Sequence, residues 1–86
     1  MAKHILKTWI GYWEDVVKGI KKFEIRKNDR GFKSNDVLVL QEWDNHTEEY
    51  TGRELEIMVD YILEGGQFGL EKGYVCMSLS DMMKIK

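Results

Sequence analysis

Alternation of apolar and polar residues dominates this chain, and only one segment near its beginning has helical spacing instead. A strand presents successive side chains to opposite faces, whereas a helix brings together residues three or four positions apart. The pattern predicts about five strands and one early helix, without repeated strand–helix–strand units. We therefore expect an α+β fold, built as a small mixed sheet or a small β-barrel.

The helical segment covers residues 9–18, with Thr8 as the expected N-cap and Gly19 as the residue that ends the helix. A threonine hydroxyl can accept a bond from a free amide of the first turn, and glycine tolerates the left-handed conformation after the last one. The apolar stripe of this helix consists of Trp9, Ile10, Trp13, Val16, Val17 and Ile20.

The predicted strands cover residues 4–7, 22–26, 37–40, a segment that begins at 53, and 74–79. In the second strand we expect Phe23 and Ile25 to face the core, and we expect a fully charged outer face. That charged face consists of Lys22, Glu24 and Arg26. The fourth strand is expected to bury Leu55, Ile57, Val59 and Tyr61. The tail of residues 81–86 is expected to fray, with docking of Met82, Met83 and Ile85 on the barrel as the alternative.

A chain of 86 residues has room for one domain, residues 1–86, and its core must use most of its apolar side chains. Cys76 is the only cysteine, so it cannot form an internal disulfide, and its place in the last strand predicts a buried, inert thiol. The apolar runs are too short to span a membrane, and the first residues lack a signal peptide's apolar region. We expect a cytoplasmic protein without a membrane partner.

Positive charge is concentrated in one short segment. Residues 21–33 contain six basic and two acidic side chains, a local charge of +4, although the chain as a whole carries −2. A local cationic field of this kind can steer and orient an anionic ligand. The simplest alternative is a solvated charged face, which is common on exposed strands.

Gly19, Lys21, Glu24 and Arg26 fit the pattern G-x-K-x-x-E-x-R, and four further blocks follow in order: FEIRKNDR, LQEW, YTGR and GGQFGLEKGYV. In these blocks the chain resembles the ASCH domains of the PUA-like superfamily. The resemblance covers residues 4 to about 79. It implies a small β-barrel with a cleft beside the motif strand, and RNA or a nucleotide-like piece of it as the ligand.

On this resemblance, the ligand-binding candidates are Lys21, Lys22, Glu24, Arg26, Lys27, Arg30 and Arg53. Arginine offers a planar fork for a phosphate or a base edge, and lysine binds anions as a point charge. The resemblance also includes small hydrolases, which are ribonucleases or amidohydrolases that act on acetylated cytidine. The resemblance implies that a lysine, a threonine and a distant glutamate carry the reaction of those amidohydrolases. Lys21 and Glu24 are then the catalytic candidates, although Glu24 stands where the amidohydrolases have the threonine. A protein-binding module of a phage is a third hypothesis.

Three aromatic residues near loops, Trp43, Tyr50 and Phe68, are candidates for stacking on an unpaired base. Core packing is the favoured role for Trp43, because so small a domain needs its large side chains inside. His4 and His46 lack the paired spacing of a zinc site. The sequence therefore predicts no metal and no cofactor.

Overall fold

The computed structural model describes residues 1–85, which form a curled half-barrel of five strands with one short helix. The elements are β1 (Lys3–Trp9), α1 (Ile10–Val17), β2 (Phe23–Lys27), β3 (Val37–Asp44), β4 (Glu49–Glu64) and β5 (Tyr74–Ile85). The predicted mostly β architecture with one early helix is confirmed. Within residues 1–85 there is no helix long and apolar enough to cross a lipid bilayer.

The five strands form one mixed sheet in the order β1-β3-β4-β5-β2. The pair β1–β3 is parallel, with Lys3 opposite Val37 and Trp9 opposite Trp43, and the other three pairs are antiparallel. Consequently β1 and β2 are the two edge strands, each with one side free of a backbone ladder. Because the sheet curls, these two edges face each other.

The core fills the concave side of the sheet and is closed by the helix. Trp13 of α1 is fully buried, and its indole Nε1 donates to the Leu40 carbonyl oxygen at 2.8 Å. Residues 37–40 are buried on both faces, as predicted for the third strand. The core cluster consists of Leu6, Trp13, Val16, Phe32, Leu38, Leu40, Leu55, Ile57, Val59, Val75, Met77 and Leu79.

The N-terminal end of the helix differs from the prediction, whereas its C-terminal end agrees with it. Thr8 is not the N-cap: Trp9 takes that position without a side-chain bond, and Thr8 is a buried residue of β1. Gly19 does end the helix in the left-handed region, with φ of +74° and its amide donating to Val16 at 3.0 Å. Ile20 is exposed, because the helix ends before it and Ile20 therefore does not belong to the apolar face of the helix.

The last two strands are longer than the sequence indicated. Residues 81–85 continue β5 beside β4, with Leu55 opposite Ile85, so the prediction that this tail frays is wrong for these residues. Register shifts along this pair let both strands keep bonding through the curl of the sheet. They also change which residues face inward, and Tyr61 is exposed although strict alternation predicted it buried. Lys86 lies outside the described residues.

A cationic and aromatic cleft between the edge strands

A cleft of about 510 Å³ lies where the edges of β1 and β2 face each other. No backbone ladder joins these two strands within the described sheet. The cleft lining comes from β1, from the first turn of α1, from the segment entering β2 and from β2 itself. The lining residues are Lys7, Thr8, Trp9, Tyr12, Lys21, Phe23, Glu24, Ile25 and Arg26.

Glu24 points inward, which reverses the predicted faces of β2. It lies opposite Met77, whose side chain faces the core, and only 4% of it is exposed. Phe23 and Ile25 are therefore about half exposed, and the prediction that they face the core is wrong. Two cations bind the buried carboxylate of Glu24, and these partners offset the cost of burying it, which would be high without them.

Lys21 is one of these two cations. The left-handed turn at Gly19 carries the chain away from the helix, and the Lys21 amide still donates to the Asp15 carbonyl at 3.0 Å. The Lys21 Nζ donates to the Phe23 carbonyl oxygen at 2.7 Å and to Oε1 of Glu24. The regular strand begins only after Lys21, so its side chain reaches the cleft independently of the strand alternation.

Arg26 is the second cation and connects the two edges. Its Nε donates to Oε2 of Glu24 at 2.9 Å, and its Nη2 donates to the Lys7 carbonyl at 3.0 Å. The same Nη2 lies 3.3 Å from the hydroxyl of Thr8. Arg30 makes a similar link, since its Nη1 donates to the Ile5 carbonyl at 2.6 Å. Arginine side chains thus bind carbonyls on the free edge of β1 where a neighbouring strand would otherwise bind.

Three aromatic side chains form the walls of the cleft, and the sequence prediction missed all of them. Trp9 is 50% exposed, Tyr12 is 56% exposed and Phe23 is 46% exposed. The rings of Trp9 and Tyr12 stack at a centroid distance of 6.4 Å and an interplanar angle of 19°. The sequence patterns predict that Trp9 and Phe23 face the core. The signal that identifies Trp9 is its alternation with Leu6 and Thr8 in β1, which places it on the outer face.

The charges around the cleft favour an anion. Lys7, Lys21 and Arg26 oppose the single carboxylate of Glu24, which leaves a net charge of +2 at the lining. Glu24 uses both of its oxygens on the two cations, whereas each cation keeps hydrogens for another acceptor. The arrangement can therefore bind an anionic group beside a flat aromatic surface.

The remaining predicted basic residues lie outside this lining. Lys22 and Lys27 are exposed just before β2 and at its end, and Lys22 also lines a neighbouring pocket with Asp60 and Asp81. Arg30 is exposed at the junction of the two edges, where it contacts Ile5. The structure thus places these three cations around the cleft without bringing them into it.

Arg53, also a predicted ligand-site residue, lies outside the lining of the cleft. Its Nε and Nη2 bind the buried carboxylate of Glu42 at 2.9 and 2.8 Å, and its guanidinium lies 4.6 Å above the ring of Trp13. The hydrogen bonds from Arg53 lower the pKa of Glu42, even though burial alone would raise it; Thr51 also donates to this carboxylate. Arg53 therefore has a structural role.

The other candidate residues have local structural roles. His4 is buried and its Nε2 lies 2.8 Å from Oδ2 of Asp36, and His46 lies in the turn that follows β3. In residues 1–85 no group of three or more His, Cys, Asp or Glu side chains is arranged to hold a metal ion. Cys76 is half-buried rather than fully buried, because β5 presents it on the outer face opposite Ile25.

The predicted stacking aromatics lie away from the core. Trp43 is half-buried on the outer face of β3, so the favoured core role is wrong. Tyr50 is 56% exposed at the start of β4. Phe68 is almost fully exposed at a tight turn between β4 and β5, with a left-handed φ of +53°.

The fold and the cleft together define a small, mostly β protein with a cationic and aromatic groove between its edge strands. Comparison with known proteins places the chain in a family: it belongs to the domain of unknown function DUF3850, whose family model matches residues 3–79. The chain is also 38% identical over 60 residues to an uncharacterised 12.9 kDa protein in the GpA 3′ region of Escherichia phage P2. That match covers 69% of this chain and 53% of the phage protein, so the chain matches about half the length of that relative.

Proposed function

We propose that the protein binds RNA, or a nucleotide-like piece of it, in the cleft between β1 and β2. The observation that carries the proposal is the convergence of Lys21, Glu24 and Arg26 at one hollow, where they could have pointed separately into solvent. Ion pairs on a flat exposed face contribute little to stability, whereas a network around a buried carboxylate fixes two cations in place.

The composition of the cleft matches the parts of a nucleotide. Lysine and arginine donors suit phosphate oxygens, and the exposed rings of Trp9, Tyr12 and Phe23 offer flat surfaces for a base. A volume of about 510 Å³ is within the usual range for small-ligand pockets. Unpaired bases are available in single strands and loops, so a single-stranded RNA segment is the macromolecular ligand that fits best.

We further infer that the family belongs to the ASCH domains of the PUA-like superfamily. The pattern G-x-K-x-x-E-x-R supports this relation, since three of its members, Lys21, Glu24 and Arg26, form the ionic network of the cleft. The half-barrel with a helix at one end agrees with the architecture that this resemblance implies.

Binding of a fluorescein-labelled single-stranded RNA of eight nucleotides, followed by fluorescence anisotropy at low salt, tests the function. We expect Lys7→Gln and Arg26→Gln each to weaken binding by about tenfold, because each removes one charge-assisted contact. Lys72→Gln, an exposed lysine in the loop between β4 and β5, is the matched control and is expected to bind like the wild type. Thermal melting of each variant verifies the fold. Equal affinity of all four proteins, or no binding by any of them, would refute the proposal.

Hydrolysis of a modified nucleoside is a second candidate function, favoured by one specific observation. The cleft holds the hydroxyl of Thr8 in addition to Lys21 and Glu24, so a lysine, a threonine and a glutamate line one hollow. Mass spectrometry after incubation with acetylated cytidine, between pH 6 and 9, tests this function. If the wild type releases acetate and Lys21→Gln does not, the result supports hydrolysis. If no product forms at any pH in that range, hydrolysis is refuted.

A further inference from the structure

Three aromatic side chains form a row across the outer face of β1, β3 and β4. Trp9 lies directly opposite Trp43 in the parallel pair, and Trp43 lies directly opposite Tyr50 in the antiparallel pair. Residues opposite each other on adjacent strands share a face and bring their side chains together. Trp9 and Tyr50 are at least half exposed, and Trp43 is half-buried between them.

This row begins at the cleft. Trp9 belongs to both, because it lines the cleft with Tyr12 and is also the first residue of the row. Lys7 also borders both features, since it lines the cleft and its Nζ lies 4.2 Å from the centroid of the Trp43 ring. From Trp9 to Tyr50 the row crosses two strand spacings, about 10 Å.

We propose that the row Trp9–Trp43–Tyr50 is a stacking surface that extends the cleft and binds the bases of a single-stranded nucleic acid next to the nucleotide held there. This inference rests on the proposed function of the cleft. A single strand would leave the cleft at Trp9, place successive bases against the rings, and have Lys7 near its backbone. Such stacking is tolerant of sequence, since every base has a flat face.

The surroundings of the row favour this occupant over a peptide. Large apolar side chains are exposed here on the outer face of a sheet, with a lysine beside them and a cleft of net charge +2 at one end. At the other end, the row stops at Tyr50, because in the described residues β5 pairs with β4 only from Leu55 onward and no further strand lies beside Tyr50. With one base in the cleft and one at each of the three rings of the row, we expect a binding site of about four nucleotides.

The test compares fluorescein-labelled oligouridylates of two, four and eight nucleotides by fluorescence anisotropy. For the wild type we expect affinity to rise from two to four nucleotides and to change little from four to eight. Tyr50→Ala is expected to weaken binding of the four-nucleotide RNA at least about fivefold, and to leave the dinucleotide unchanged. Tyr50→Phe keeps the ring and is expected to bind like the wild type. Tyr61→Ala removes another exposed tyrosine of β4 and serves as the matched control.

Salt dependence separates stacking from charge. The slope of log affinity against log salt is expected to stay unchanged in Tyr50→Ala and to become shallower by about 0.7 in Lys7→Gln, which loses one phosphate contact. If Tyr50→Ala keeps the full gain from two to four nucleotides while Arg26→Gln loses binding, the stacking row is refuted and the cleft remains. If wild-type protein binds none of the three RNAs, both the row and the proposed function are refuted.

Discussion

Acid sensitivity of the Asp36 carboxylate provides a direct test of how the edge strand β1 is attached. Asp36 is almost fully buried just before β3, where Oδ1 accepts the Ala2 amide at 3.0 Å and Oδ2 accepts the Lys33 amide at 3.0 Å. The His4 ring lies 2.8 Å from the same Oδ2. These bonds connect the beginning of β1 to the turn before β3, and all of them favour the charged carboxylate.

The pKa of Asp36 determines both the size of this effect and its pH range. Burial by itself raises the pKa, but the Ala2 amide, the His4 side chain and the Lys33 amide together lower it from 3.8 to about 2. At 1.36 kcal/mol per pKa unit this difference corresponds to about 2 kcal/mol of stability. Because the folded-state pKa is the lower one, the unfolded chain binds the proton first. The contribution is complete above pH 4 to 5 and is lost as the pH falls through about 2.

Urea unfolding of the wild type and of Asp36→Asn, measured from pH 7 to pH 2.5, isolates this contribution. We expect the free energy of unfolding to differ between the two proteins by about 2 kcal/mol at pH 6, and by clearly less at pH 2.5. Other carboxylates titrate in both proteins and cancel in the difference. A difference that stays constant over the whole range, or that grows as the pH falls, would show that Asp36 is not held as a buried, hydrogen-bonded anion.

Three further substitutions test other parts of the structure by the same urea measurement. Glu24→Gln leaves Lys21 and Arg26 without their shared anion and is expected to lower the free energy of unfolding by about 2 to 4 kcal/mol; a change below about 0.5 kcal/mol is what an exposed surface pair would give. Arg53→Ala leaves the buried carboxylate of Glu42 with the Thr51 hydroxyl but without its cation, and is expected to lower the free energy of unfolding. Adding Glu42→Gln to this variant should recover part of the lost stability, and no recovery would contradict the ion pair between Arg53 and Glu42. Phe68→Asn relieves a left-handed backbone at an exposed turn and is expected to raise the free energy of unfolding by about 1 kcal/mol; a loss of stability would show that the Phe68 ring is packed.

Local sequence signals predicted the elements of this fold correctly where each residue's own conformation decides the outcome. Gly19 ends the helix in the left-handed region, as its lack of a side chain predicted. The apolar run from 37 to 40 is buried on both faces. Lys21, Glu24 and Arg26 line one cleft, although strict alternation predicted Glu24 on the outer face of its strand.

Errors arose where a neighbouring strand decides the outcome. Residues 81–85 are predicted to fray because they are terminal, but β4 supplies a strand partner beside them. The alternation that predicted Tyr61 to be buried holds up to Val59, and register shifts between β4 and β5 interrupt it there. Arg53 has the right charge for the ligand site, but a buried Glu42 on the adjacent strand binds it first. None of these partners can be inferred from the sequence near the affected residue.

The sequence by itself determined how many strands form, where the helix ends and which charges lie within reach of one another, because these properties depend on residues near each other in the chain. Only the tertiary structure decided which face of β2 is inside. Pairing Glu24 with Met77 turns the carboxylate inward and Phe23 outward. A strand has two faces that differ by one residue of register, so the neighbouring strand and the cations that neutralise a buried charge select between them.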